Sequence, residues 1–278
     1  MKAWVGDGCT GALLGPDEAR VSVMDHGFTV GDGVFETLKV TPRGAFAVTR
    51  HLRRLATSAA MLGLAAPDLD HVREAADRVI AACRDEVGEL ARLRITWTSG
   101  AAPLGSDRVD APPTLVIAVM RQQPWPESTR VITIPGVRNP ASLVAGAKST
   151  SYAENVVALV RAHEAGASEA IFGTIDGRLC EGTGSNVLVA IDGRMITPTL
   201  ASGCLAGITR ELALEWLGIV EQDVPLEVMD GAVDALVSSS TRDLHPITSI
   251  DGREFSAGPM SRELARAFAA RTESDLDP

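Results

Sequence analysis

The sequence predicts an α+β protein of two domains, and three observations carry that prediction. Helical and strand-like signals alternate in blocks along the chain. A polar, proline-rich stretch, Arg121-Gln122-Gln123-Pro124-Trp125-Pro126-Glu127, interrupts them near the middle. The 278 residues suit about two domains, at roughly 100–200 residues each. The expected partition is a smaller N-terminal α+β domain over residues 1–120, a linker over 121–127, and a larger C-terminal α+β domain over 128–278.

The elements follow from spacing. Leu52, Leu55, Ala59 and Leu62 recur at helical intervals, so a helix is expected over Arg50–Leu62, stopped by Gly63. Val72, Ala76, Val79 and Cys83 line a second helix, from about Asp70 to Val87. Leu93–Thr98 and Thr114–Met120 are β-rich runs, and Val131–Ile134 is a short strand beyond the linker. A helix is expected from Tyr152 to Ala165, ended by Gly166. Asp176-Gly177, Asp192-Gly193 and Asp251-Gly252 are turns, and the first two sit between strand-like runs as β-hairpins. Gly207-Ile208-Thr209-Arg210 opens a helix that ends near Gly218, and a last helix covers Ser261–Ala270. The tail, Thr272–Pro278, is expected to be loose. No internal repeat or low-complexity tract interrupts the chain.

Composition excludes several classes. Hydrophobic residues make up 45%, enough for a sizeable core. A net charge of -10 argues against nucleic acid or an anionic membrane as partner. The first residues, Met1-Lys2-Ala3-Trp4-Val5-Gly6, lack the apolar core of a signal peptide. No run approaches the roughly 18–20 apolar residues of a membrane span. Cys9, Cys83, Cys180 and Cys204 are scattered, as expected of reduced thiols in a cytoplasmic protein. No His, Cys and carboxylate cluster has metal-ligand spacing, so no metal is expected.

Lysine is scarce: Lys2, Lys39 and Lys148 are the only three. Lysine can shed its proton when desolvated and attack a carbonyl, which arginine cannot. Lys148 lies in Leu143-Val144-Ala145-Gly146-Ala147-Lys148-Ser149-Thr150-Ser151-Tyr152, an apolar, small-residue approach to a helix start. Such surroundings depress a lysine pKa. Read from composition alone, it is equally well an ordinary solvated lysine. Tyr152, the single tyrosine, lies one helical turn on, where it meets Lys148 on one face or simply packs in the core.

Five ordered blocks carry a resemblance. They are Asp25-His26-Gly27-Phe28-Thr29-Val30-Gly31-Asp32-Gly33-Val34-Phe35-Glu36-Thr37; His51-Leu52-Arg53-Arg54-Leu55; Lys148 to Asn155; Glu181-Gly182-Thr183-Gly184-Ser185-Asn186-Val187-Leu188; and Leu205-Ala206-Gly207-Ile208-Thr209-Arg210. Together they resemble the class IV aminotransferases. These are the fold type IV pyridoxal 5′-phosphate (PLP) enzymes, which include D-amino acid aminotransferases, branched-chain aminotransferases and aminodeoxychorismate lyases. The resemblance implies a D-amino acid aminotransferase-like fold with the cofactor between the two domains and the larger domain binding it. It implies that Lys148 forms the internal aldimine and moves the proton between substrate Cα and cofactor. Glu181 would pair with the pyridine nitrogen and keep it protonated. Tyr152 would meet the phenolic oxygen and Leu205 the ring face. Arg54 would hold the phosphate, with Ile208 and Thr209 adding donors at a helix N-terminus. Ser240, in Ser238-Ser239-Ser240-Thr241, matches a further phosphate or carboxylate contact. A homodimer is implied as well.

Which reaction follows is less determined. Branched-chain aminotransferases typically line their pocket with several tyrosines, and this chain has one. The well-known D-amino acid aminotransferases hold the substrate carboxylate with an Arg-x-His pair. The matching stretch, Thr98-Ser99-Gly100-Ala101-Ala102, has neither. Arg94, on one strand face with Arg92, and Arg242 or His26, from loops, are the candidates to replace it. Arg94 is equally well a surface strand residue. Phe35, Thr37 and Thr241 complete the expected substrate contacts, Thr37 as the proton donor in a lyase. The favoured expectation is a transaminase between an amino acid, D-configured by elimination, and a 2-oxo acid. A lyase giving 4-aminobenzoate and pyruvate comes next, then a branched-chain L-amino acid aminotransferase.

Overall fold

A computed structural model describes residues 1–278, which divide into two compact units. Met1–Pro124, Ala147–Tyr152 and Asp275–Pro278 form the first; Trp125–Gly146 and Ala153–Ser274 form the second. The main break thus falls between Pro124 and Trp125, inside the proline-rich stretch. Two short segments from beyond that break belong to the first unit. Mixed helices and sheets in both units make the chain α+β.

The first unit is a six-stranded sheet in the order β2-β1-β6-β5-β3-β4. Its strands are β1 (Ala3–Gly6), β2 (Gly11–Leu14), β3 (Gly33–Thr41), β4 (Gly44–Ala45), β5 (Ala91–Thr98) and β6 (Thr114–Arg121). All neighbours run antiparallel. A short helix α1 (His26–Thr29) precedes β3, and α2 (Val48–Met61) and α3 (Leu69–Ala82) lie between β4 and β5. Period-two alternation sorts the sheet faces. Ala91, Leu93, Ile95 and Trp97 of β5 are buried, whereas Arg92 and Arg94 share the other, exposed face. Leu52 and Leu55 of α2 and Val72 and Val79 of α3 join Leu93 and Ile95 in one apolar cluster. This is the amphipathic pattern that the spacing predicts.

Two expectations change here. The second helix stops at Ala82, because Cys83 leaves helical geometry at φ -111; a single turn, α4 (Arg84–Val87), follows and ends at Gly88. The Cys83 sulfur accepts the Lys2 backbone N–H at 3.1 Å, which ties the break to the N-terminal strand. The tail is not loose. Thr272–Ser274 is helical, and Leu276–Pro278 is bonded to the start of α2. That helix has no side-chain cap of its own, since its N-cap is Ala47 in a left-handed conformation. Asp277 supplies the missing acceptor, taking the Thr49 N–H at 2.7 Å and the Thr49 hydroxyl at 2.6 Å.

The second unit is a nine-stranded sheet. Its strands are β7 (Thr129–Arg138), β8 (Glu169–Thr174), β9 (Leu179–Gly182), β10 (Asn186–Ile191), β11 (Arg194–Thr197), β12 (Val220–Glu221), β13 (Ala235–Ser239), β14 (Asp243–Ile250) and β15 (Arg253–Glu254). The path β12-β11-β10-β13-β14-β7-β8-β9 bends round on itself, because β9 also pairs with β10 through Glu181 and Asn186. Val131, Ile171, Val187, Val237 and Ile247 from five strands of that ring share one core. Around it lie α5 (Ala153–Glu164), α6 (Ile208–Leu217), the short α7 (Val228–Gly231) and α8 (Pro259–Ser274). Both expected hairpins form, joining β8 to β9 and β10 to β11. At the second, Asp192 and Gly193 take φ of 49 and 74, the doubly positive pattern that Asp-Gly tolerates.

Candidate active site

The lysine segment behaves as an extra strand on the open end of β3. Lys148 C=O accepts the Phe35 N–H at 2.9 Å, and the Thr150 N–H donates to Gly33 C=O at 2.8 Å. The Lys148 N–H donates to the Ser58 hydroxyl of α2 at 3.2 Å. The backbone on both sides of the lysine side chain is therefore held. Thr150 and Ser151 hydroxyls also bond Gly31 C=O, at 2.8 and 3.1 Å. A side chain at Gly31 would put its Cβ 2.6 Å from the Ser151 hydroxyl, at a φ of +71. Only glycine fits there.

Phe35 gathers the reactive side chains. The Lys148 amine lies 4.5 Å from its ring centre and the Arg94 guanidinium 3.5 Å from it. Tyr152 meets the same ring edge-on at 5.2 Å, with the Lys148 amine 6.0 Å from its own ring. Residues 148–152 are not helical, so Lys148 and Tyr152 meet through Phe35 rather than along a helix face. Thr37 stands directly across from Arg94 in the β3–β5 register. Arg94 is exposed, yet desolvation pushes its guanidinium pKa below the ordinary value.

Glu36 points the other way, as strand alternation requires. It is fully buried beneath α2. Arg54 grips it side-on, Nε to one oxygen at 2.8 Å and Nη2 to the other at 2.7 Å. His51 Nδ1 lies 2.6 Å from the second oxygen. Burial alone would raise the Glu36 carboxyl, but the Arg54 charge and the bonds from Arg54 and His51 hold it at about 2. Burial pushes the His51 imidazole down, against the pull of Glu36. Arg54 thus comes with a fixed orientation.

The second unit has polar groups of its own. Glu181 sits on β9, opposite Phe172 of β8. One of its oxygens accepts the Leu205 N–H at 2.9 Å. The Leu205 C=O in turn accepts the Asn186 side-chain amide at 2.8 Å. The loop before α6 is thereby pinned at both ends of Leu205. A Cβ at Gly207 would fall 2.0 Å from the Asn186 oxygen, so the loop lies tight against β10. Ile208 and Thr209 open α6, whose N-cap Gly207 offers no side-chain acceptor. Thr183 and Ser185 hang from the buried carboxylate of Glu169, with Thr183 N–H at 2.9 Å and Ser185 hydroxyl at 3.0 Å.

Not every sequence candidate joins these groups. His26 is wholly buried, its Nε2 3.0 Å from the Pro103 carbonyl. Arg242 lies across the Trp125 ring at 3.8 Å and bonds Ser168, 3.7 Å from Glu169. Its surroundings make it a pin of the β13–β14 turn, which also carries Ser240 and Thr241. Ser58, Glu169 and Arg138 were not singled out from sequence, although Arg138 Nε stands 3.1 Å from Glu181. The only warning was Pro135-Gly136 within a strand run, a bulge signal.

The donor set suits the expected cofactor. In the first unit an amine and a guanidinium match an aldehyde and a phosphate; in the second, taken by itself, a carboxylate and the uncapped N-terminus of a ten-residue helix match a basic ring nitrogen and a phosphate. Comparison with known proteins agrees. Residues 33–250 match the family described as amino-transferase class IV. A bifunctional aminodeoxychorismate lyase / D-amino acid transaminase of Mycobacterium tuberculosis is 30% identical, covering 95% of this chain and 98% of its own. A fold IV-transaminase from Curtobacterium pusillum superposes with a TM-score of 0.87 at 30% identity, covering 98% of both chains. A branched-chain aminotransferase from Thermoproteus uzoniensis, solved with norvaline, gives 0.86 at 26% identity, over 97% of this chain and 93% of that one.

Proposed function

The chain belongs to the class IV aminotransferases, and on that premise we propose that it moves an amino group from a D-amino acid to a 2-oxo acid. Its cofactor is pyridoxal 5′-phosphate. When bound, that cofactor withdraws electrons from the substrate Cα and stores the amino group between the two half-reactions. Lys148 holds the cofactor and moves the proton at the substrate Cα. Glu181 meets the ring nitrogen, Tyr152 the phenolic oxygen and Leu205 the ring face. Arg54, Ile208, Thr209 and Ser240 hold the phosphate.

One observation carries the substrate class: Arg94 and Lys148 share the Phe35 ring, at 3.5 and 4.5 Å. A guanidinium beside the reacting amine is suited to an amino acid's carboxylate. Handedness rests on elimination. The single tyrosine stands at the lysine, which leaves none for a branched-chain pocket. The loop after β5 lacks the Arg-x-His pair, and its arginine, Arg108, is bound to Asp32 at 2.7 Å. Arg94 takes over the carboxylate in this reading. The second reading is the lyase, favoured by the register that pairs Thr37 with Arg94. We place the enzyme in the cytoplasm as a homodimer, with the exposed Val156, Val157 and Val160 of α5 as apolar surface for a second copy. No helix is long and apolar enough to cross a membrane.

The test is a half-reaction. Holoenzyme is mixed in turn with D-alanine, D-glutamate, L-leucine, L-glutamate and aminodeoxychorismate, and the visible band of the lysine-bound cofactor is followed. Loss of the band with a D-amino acid is expected. Loss with L-amino acids alone would restore the branched-chain reading. Pyruvate from aminodeoxychorismate, with no amino acid reacting, would make it the lyase.

A further inference from the structure

We propose that Arg138 is a positioning residue that lowers the basicity of Glu181 and so keeps the shared proton on the cofactor's ring nitrogen. The inference rests on the reading that Glu181 meets that nitrogen. A carboxylate facing a pyridine nitrogen shares one proton with it, and the proton stays on the more basic partner. Desolvation makes a carboxylate more basic, while a nearby cation makes it less so. Glu181 is only 13% exposed, so it needs the cation.

The fold goes to some length to bring that cation in. The β7–β8 register slips between Ile134 and Arg138, four residues of β7 standing against two of β8. Pro135 and Gly136, with φ of +73 at Gly136, form the bulge. The β8–β9 register slips as well, next to Glu181. Bulges re-aim side chains. Here they set Arg138 Nε 3.1 Å from Glu181 Oε1, with the guanidinium 4.1 Å over the Phe172 ring. Nε is buried and makes no hydrogen bond of good geometry, so the contact acts as charge on charge. The far side, Nη1, is held by Glu154 of α5 at 2.6 Å. Glu154 is 54% exposed and competes for the same charge. The thiols of Cys180 and Cys204 also lie near Glu181, both raised by burial and hence neutral. Arg210 of α6 is committed to the Pro198 carbonyl and Glu221.

The experiment reads the ring nitrogen directly. Wild type, Arg138→Gln, Arg138→Lys, Glu154→Gln and Glu181→Gln are loaded with nitrogen-15-labelled PLP, and the ring-nitrogen resonance is followed against pH. While the shared proton stays bound, Arg138→Gln should move the resonance toward that of an unprotonated ring nitrogen, because Glu181 becomes the more basic partner. Arg138→Lys should restore most of that shift. Glu154→Gln, which frees Arg138 for Glu181, should move the resonance the opposite way, toward the protonated position. A merely structural arginine would not give shifts of opposite sign. If Arg138→Gln cannot be loaded, the Glu154→Gln direction alone decides. Unmoved resonances, or a move toward the unprotonated position in Glu154→Gln, would overturn the proposal. A wild-type titration in Glu181→Gln would instead overturn the reading beneath it.

Discussion

The two units each set an arginine against a glutamate, under opposite conditions. Glu36 and Arg54 are 0% and 10% exposed, with both oxygens gripped and His51 closing the cluster. Arg138 is 17% exposed and shared between Glu181 and a half-exposed Glu154. A buried pair cannot lose one member without stranding the other in a poor solvent. A pair in contact with water can shift charge between partners at small cost. The first arrangement suits fixing a guanidinium for a phosphate. The second suits adjusting a proton.

Glu36→Gln breaks the comparison hardest. It removes the charge facing Arg54, and unfolding free energy should fall by on the order of 3–5 kcal/mol. Arg138→Gln should cost less, because part of its charge is already spent on the half-exposed Glu154. Denaturant melts of both proteins test this, and equal losses would erase the distinction.

Acid sharpens it. The Glu36 carboxyl is held at about 2, below its ordinary 4.5. A depressed pKa contributes stability above the unfolded value, and that contribution disappears as pH falls through the folded one. Wild type should therefore lose its advantage over Glu36→Gln between about pH 4.5 and 2. A gap in melting temperature that stays constant across that window would show that the ion pair is not its source.

The smallest effect concerns the helix that presents Arg54. Asp277→Ala removes the acceptor at the start of α2, which should cost about 1 kcal/mol. The same variant should show faster amide exchange at Thr49, whose N–H Asp277 holds. Unchanged exchange there would mean that the first turn of α2 stands without it.

These contrasts mark how much the residue order could tell. The helices and hairpins were legible because they are written in local spacing: Leu52 and Leu55 face one way, and Asp192-Gly193 can only turn. Lys148, Glu181 and the start of α6 were legible because each lies in a distinctive block. Glu36 stood in a quoted block without a role, since its partner is 18 residues away and one face across. His26 and Arg242 are substrate candidates by their neighbours in sequence, while the contacts they make here are to the Pro103 carbonyl and to Ser168 and Trp125. Arg138 and Glu169 were invisible because strand register, not spacing, chooses their partners. The Asp277 cap is equally silent in the sequence, because the helix start it serves lies 228 residues away.

The chain order of these contacts bears on how the molecule is made. Domains released from the ribosome tend to fold as units, the N-terminal one first. This first unit cannot finish that way. Its lysine-bearing strand reaches back across 90 residues to Ser58. The cap on α2 comes from 228 residues downstream. Long loops of this kind close late, after their entropy has been offset by other packing. The front of the chain must therefore wait twice: the open end of β3 stays uncovered until residues 148–150 are made, and the start of α2 stays uncapped until the whole second unit has been synthesised. Lys148 reaches its seat against β3 only once more than half the chain has been translated.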